Sequence, residues 1–143
     1  MSISELNENK YLFLKEVGEP TDNSLRIVVN TATLSNVETS KAVIQGTREI
    51  TPSNEGYEIV FERYVAYFVL NESYYSVYPG WEVESWKGGV FSVATSTAFL
   101  DYLEKNSCAS KDWAGEYKHY KINCQNHVIN VVSANEPTIT KIL

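Results

Sequence analysis

Between Tyr57 and Asn71 the chain reads YEIVFERYVAYFVLN, and its apolar pattern changes partway along. The odd positions Tyr57, Ile59, Phe61, Val65, Tyr67 and Val69 are apolar, with Arg63 the exception. The even positions begin Glu58, Val60 and Glu62, then become Tyr64, Ala66, Phe68 and Leu70. Side chains alternate between the two faces of a strand, so the first half predicts a strand with one wet face. The second half predicts a central strand covered on both faces. The expected cover is a helix over Ser96–Asn106, STAFLDYLEKN. Ser96 is placed to accept a backbone N–H at its start. Phe99, Leu100 and Leu103 make one apolar stripe, and Lys105 sits near the negative end of the helix dipole.

The same reading extends to both ends. Tyr11–Val17 and Leu25–Ala32 are β-branched and aromatic, and they flank the turn-forming GEPTDNS of Gly18–Ser24. This predicts a hairpin with a long loop. A helix over Ser4–Val17 is the rival, with partial spacing from Leu6, Phe13 and Val17, but Tyr11–Leu14 is too continuous for it. Lys41–Ile50 predicts a strand ended by Thr51–Asn54. Gly89–Thr95 predicts another, with Gly88-Gly89 as a hairpin turn. Tyr117–Ser133 predicts one long strand or two, with an irregularity near Asn126. Thr138–Leu143 predicts a short edge strand after Pro137. The expected architecture is α+β in one domain over residues 1–143. It is a twisted, mostly antiparallel sheet of about six strands, with the main helix at 96–106 packed on one face.

Composition narrows the classes. At 143 residues with 43% hydrophobic and 21% charged residues, the chain is long enough to bury a core without staples. MSISELNENK lacks the basic start and apolar run of a secretory signal, and the apolar runs fall far short of the roughly 20 residues a membrane helix needs. The expected location is therefore cytoplasmic, with reduced thiols, although a bridge between Cys108 and Cys124 stays open. A net charge of −6 argues against gripping nucleic acid, which takes many basic groups near phosphates.

The chemistry-bearing residues form no constellation. His119 and His127 lie about 26 Å apart along an extended strand and cannot share a metal unless the chain folds back. Neither has metal-ligand spacing to a cysteine. Cys124 falls in an apolar alternation and reads as an inert core thiol. No G-x-S-x-G elbow or phosphate loop is present in the sequence. No metal and no cofactor is expected.

Asn71–Glu82, NESYYSVYPGWE, is the unusual stretch. From Ser53 to Glu84 six glutamates face one arginine, a local balance of −5. Tyr and Trp offer rigid area at low entropic cost and are enriched at interfaces. Glu72, Tyr74, Tyr75, Tyr78, Trp81, Glu82 and Glu84 are thus the expected contacts for a basic protein partner. The rival reading folds these rings back as a lid on the sheet, beside Trp86.

Five segments, EPTDNSLRIVV (Glu19–Val29), ITP (Ile50–Pro52), YVAYFVLNESY (Tyr64–Tyr74), STAFLDYL (Ser96–Leu103) and HYKINCQNHVINVVS (His119–Ser133), carry a resemblance in order and content. The chain resembles small bacterial immunity proteins, the partners of polymorphic toxins of contact-dependent growth inhibition. The resemblance implies a non-enzyme that binds and neutralises a cognate toxin, often a basic nuclease; the charge and the short apolar runs lead to an expectation of no nucleic-acid and no membrane partner. It supplies no catalytic residue. The alternatives are a small hydrolase or ligand-binding enzyme using His119 or His127, and a structural homodimer subunit.

Overall fold

The computed structural model describes residues 2–38, 48–76, 81–109 and 116–142. A short helix α1 (Ile3–Leu6) precedes strands β1 (Leu12–Thr21), β2 (Ser24–Glu38) and β3 (Arg48–Glu62). Then come β4 (Ala66–Asn71), β5 (Lys87–Gly88), β6 (Phe91–Ala94), helix α2 (Ala98–Asn106), β7 (Lys118–Asn123), β8 (His127–Ser133) and β9 (Thr138–Ile142). The class is α+β, but the strands build two antiparallel sheets rather than one of about six strands. The first has order β1-β2-β3-β9 and the second β4-β8-β7-β6-β5.

The reason lies at Arg63. Its φ of 56° is left-handed, and its N–H bonds Asn23 O at 2.8 Å. That kink ends β3 in the first sheet, and Val65 N reaches Val132 O at 2.7 Å to start β4 in the second. The change of apolar pattern along Tyr57–Asn71 is this change of sheet, not one continuous strand. β4 consequently lies at a sheet edge, not in the centre as expected.

The sheets pack face to face, as alternation requires. Leu25, Ile27, Val29, Ile59, Phe61 and Ile139 from the first meet Phe91, Tyr120, Ile122, Ile129 and Val131 from the second. Phe61 and Tyr120 join the two faces edge to ring, with centroids 5.1 Å apart.

Local chemistry refines other expectations. The β1–β2 hairpin has a tight turn instead of a long loop, since Thr21 pairs with Ser24 and Asn23 takes the left-handed φ of 64° that Asn tolerates. Only Ile3–Leu6 of the rival N-terminal helix forms. Thr51–Asn54 does not end its strand. There the pairing slips between Asn30 and Ala32, and Ser53 O accepts from Asn30 Nδ2 at 3.1 Å. The turn signal marks a bulge. Gly56 closes it, because a Cβ there would lie 2.1 Å from Val29 O. Residues 39–47, most of the strand expected at Lys41–Ile50, lie outside the described residues. The Thr138–Leu143 expectation is met by β9 on an edge of the first sheet. The Tyr117–Ser133 expectation is met by two strands, with Asn126 at φ 69° between them.

On the outer face of the second sheet, Leu100 and Leu103 of α2 pack on Val132, with Val65, Ala66, Phe99 and Tyr117 around them. A nine-residue helix is about 13 Å long. Five strands at about 4.8 Å spacing span roughly 19 Å. Part of that face therefore stays open. Among the described residues no helix is long and apolar enough to cross a membrane.

Candidate functional site

The open part of the face is a groove of about 640 Å³. Register sets its floor. Asn130 pairs with Phe68 on one side and Lys121 on the other, so all three side chains stand on the same face. Leu70 and His119 share that face, two residues along their strands from Phe68 and Lys121. Ala98 and Phe99 from the start of α2 make one wall, and Phe68 meets Phe99 edge to ring at 5.0 Å. Glu84 and Trp86 make a second, and Tyr74–Ser76 a third.

His119 is the bracket beneath. It is 4% exposed. Its Nε2 lies 2.8 Å from Asn130 Oδ1, so Nε2 carries the proton and donates. Its Nδ1, 2.9 Å from Thr97 Oγ1, then accepts the threonine hydroxyl. Thr97 Oγ1 in turn accepts from Leu100 N at 3.1 Å and caps α2, one residue later than the expected cap Ser96. Burial pushes the imidazole down to about 4. The Asn130 bond and Glu84 oppose that shift, and the charge on Lys121 adds to it. A neutral ring with both nitrogens engaged is a poor general base. His127 sits at the opposite end of the β7–β8 hairpin, paired with Asn71. Its Nδ1 is buried without a hydrogen-bond partner among the described residues.

The depressed value sets a pH dependence. Between about pH 6.5 and 4 the unfolded chain binds a proton at His119 that the folded chain refuses. Stability from this group is complete above 6.5 and falls as pH drops toward 4, by about 3 kcal/mol in all. Denaturant unfolding at pH 7 and pH 5 should show the loss in the wild type and a smaller one in His119→Gln. Equal losses in both would contradict the assignment.

Glu84, expected as a partner contact, is turned to internal work. Oε2 accepts from Ala98 N at 2.7 Å and Oε1 from Trp86 Nε1 at 2.9 Å. Ser85 Oγ accepts from Thr95 N at 2.9 Å and Ser96 N at 3.0 Å. These bonds pin residues 84–86 to the start of α2. Lys121 Nζ lies 4.0 Å from the Trp86 ring centroid and 3.3 Å from Tyr75 OH. Asn71 caps the 3-10 turn Glu72–Tyr74 by accepting from Ser73 N at 3.0 Å. Tyr74 is 78% exposed and Tyr75 45% exposed, and Glu72 and Glu82 are exposed as well. Tyr78 and the Trp81 side chain lie outside the described residues.

Sequence reasoning missed Thr97, Lys121 and Asn130 as site residues. Only their strand parity and position, set by the register of β4, β8 and β7, mark them out. Cys108 is exposed and Cys124 buried, both as free thiols, and burial pushes Cys124 up to about 12. Among the described residues no group of three or more His, Cys, Asp or Glu side chains gathers to hold a metal ion. Comparison with protein-family models, curated proteins and solved structures returns no match.

Proposed function

We propose that this chain is an immunity-type binding protein that neutralises a basic toxin domain by tight association in the cytoplasm. The proposed contacts are Glu72, Tyr74, Tyr75, Tyr78, Trp81, Glu82 and Glu84, of which Glu84 also accepts from Trp86 Nε1 and Ala98 N. The observation that carries the reading is Tyr74, 78% exposed at the mouth of an apolar groove and next to an exposed glutamate. Large rings left in water beside a concave apolar wall are what an anchor-and-pocket interface uses. The glutamates favour a positively charged neighbour and speed the encounter. The engaged, neutral state of His119 supports this reading over a hydrolase built on that residue.

The test is association with a basic toxin domain, sought first in the product of whatever gene lies immediately upstream. Glu72→Gln with Glu82→Gln should slow association several-fold at low salt and flatten its salt dependence. Unchanged rates at every ionic strength would contradict the charge-steered encounter.

A further inference from the structure

Inside the groove, behind the exposed tyrosines, the chemistry differs from that of the acidic rim. Among the described residues lining it, Lys121 is the one cation and Glu84 the one carboxylate. Glu84 already accepts from Trp86 Nε1 and from Ala98 N in the first turn of α2, where backbone donors favour negative charge. Among the described residues Lys121 has no carboxylate partner. The ion pairs among the described residues are those of Arg26 with Glu16 and Glu58. One ammonium hydrogen goes to Tyr75 OH, and the Trp86 ring lies against the charge. Neutral His119 adds no competing positive charge, and it takes Asn130 Oδ1, leaving the Asn130 Nδ2 hydrogens to donate elsewhere. Two donor groups, Lys121 Nζ and Asn130 Nδ2, thus sit on neighbouring strands in register, under a ring-lined cavity. The volume of about 640 Å³ lies within the range of small-molecule sites.

We propose that this groove is a binding site for a small aryl-alkanoate, with its ring among Phe68, Trp86 and Phe99 and its carboxylate on Lys121 and Asn130. The ring preference follows from the aromatic lining, since Phe68, Trp86 and Phe99 all face the cavity and ring pairs gain beyond their buried area. The carboxylate preference follows from an ammonium with no carboxylate partner among the described residues, set beside a largely apolar wall, where it can make a charge-assisted bond. The inference goes beyond recognition of a protein partner, and its test needs no partner present.

The experiment titrates the full chain with 4-phenylbutyrate and, separately, with 4-phenylbutanol, following amide and indole signals by NMR. The acid should bind saturably and about tenfold more tightly than the alcohol, moving the Trp86 indole and Lys121 amide signals. Lys121→Met should bring the acid down to the level of the alcohol while the alcohol is unaffected. Lys121→Gln serves the same purpose if the methionine variant does not fold, and the acid–alcohol comparison in the wild type stands without either. Equal affinity for acid and alcohol, no saturable binding of the acid, or shifts confined to residues outside the groove would each overturn the proposal.

Discussion

Replacing Tyr74 and Tyr75 together by alanine is expected to weaken capture of the proposed toxin partner by about 2 kcal/mol or more, roughly thirtyfold in Kd. Two different losses combine. Tyr74 contributes ring area held in water in the free protein, at 78% exposure, ready to be buried without unfolding anything. Tyr75 contributes less free area but steadies Lys121 through its hydroxyl at 3.3 Å and its ring face. Tyr75→Phe should therefore cost much less than Tyr75→Ala. Neither substitution touches the core between the sheets, so unfolding free energy should move by less than about 1 kcal/mol. Calorimetric titration separates the two effects. A folded double variant that binds as tightly as wild type would remove these tyrosines from the interface.

Phe61→Ala should have the largest effect on stability, a loss of about 3–5 kcal/mol with the denaturant slope unchanged. Phe61 is wholly buried and is the ring through which β3 meets Tyr120 on β7. A cavity there lies directly beneath the groove. Tyr120 points inward while its neighbours His119 and Lys121 stand on the outer face. Loss of packing under Tyr120 should therefore also loosen the His119 bracket, seen as broadened ring signals. A loss below about 1 kcal/mol would mean that the two sheets are not coupled through this contact.

Much of the fold was legible in local pattern. The helix α2, expected at 96–106 and found at Ala98–Asn106, was readable from the Phe99, Leu100 and Leu103 stripe. The irregularity near Asn126 and the edge strand after Pro137 were readable from turn chemistry. What alternation does not carry is the partner of each face. The apolar even positions from Tyr64 onward are real, but they do not make β4 central. Tyr64 and Tyr67 reach across to Glu19 with their hydroxyls, while Phe68 and Leu70 line an open groove. A residue that waits for a ligand or partner and one buried by its own chain look alike in sequence. Arg63 was the missed clue, since a charged residue at the point where the pattern shifts marks a chain leaving its sheet. The cap differed by one residue because STA offers two hydroxyls. Ser96 N is held by Ser85 Oγ, while Thr97 has His119 as a second partner.

At the site, sequence left open whether the acidic-aromatic segment is exposed or a lid; Tyr74 and Tyr75 are exposed, and Glu84 was not legible as an internal brace. Its role depends on where the α2 N-terminus and Trp86 come to rest, which no local spacing records. Lys121 was hidden for the same reason. In KHYKIN it reads as one more solvated charge, and only the pairing of β7 with β8 sets it beside Asn130 under the rings.

The central claim is that the chain works by presenting the Glu72–Tyr75 turn at the groove mouth to a basic protein. Amide hydrogen exchange of the chain alone and bound to the proposed toxin partner tests it most directly. Slowed exchange at residues 71–76 and 82–86, with β1 and β9 on the far sheet unchanged, is the result this account predicts. Protection confined to β1 and β9, with the tyrosine turn exchanging as freely as before, would contradict it.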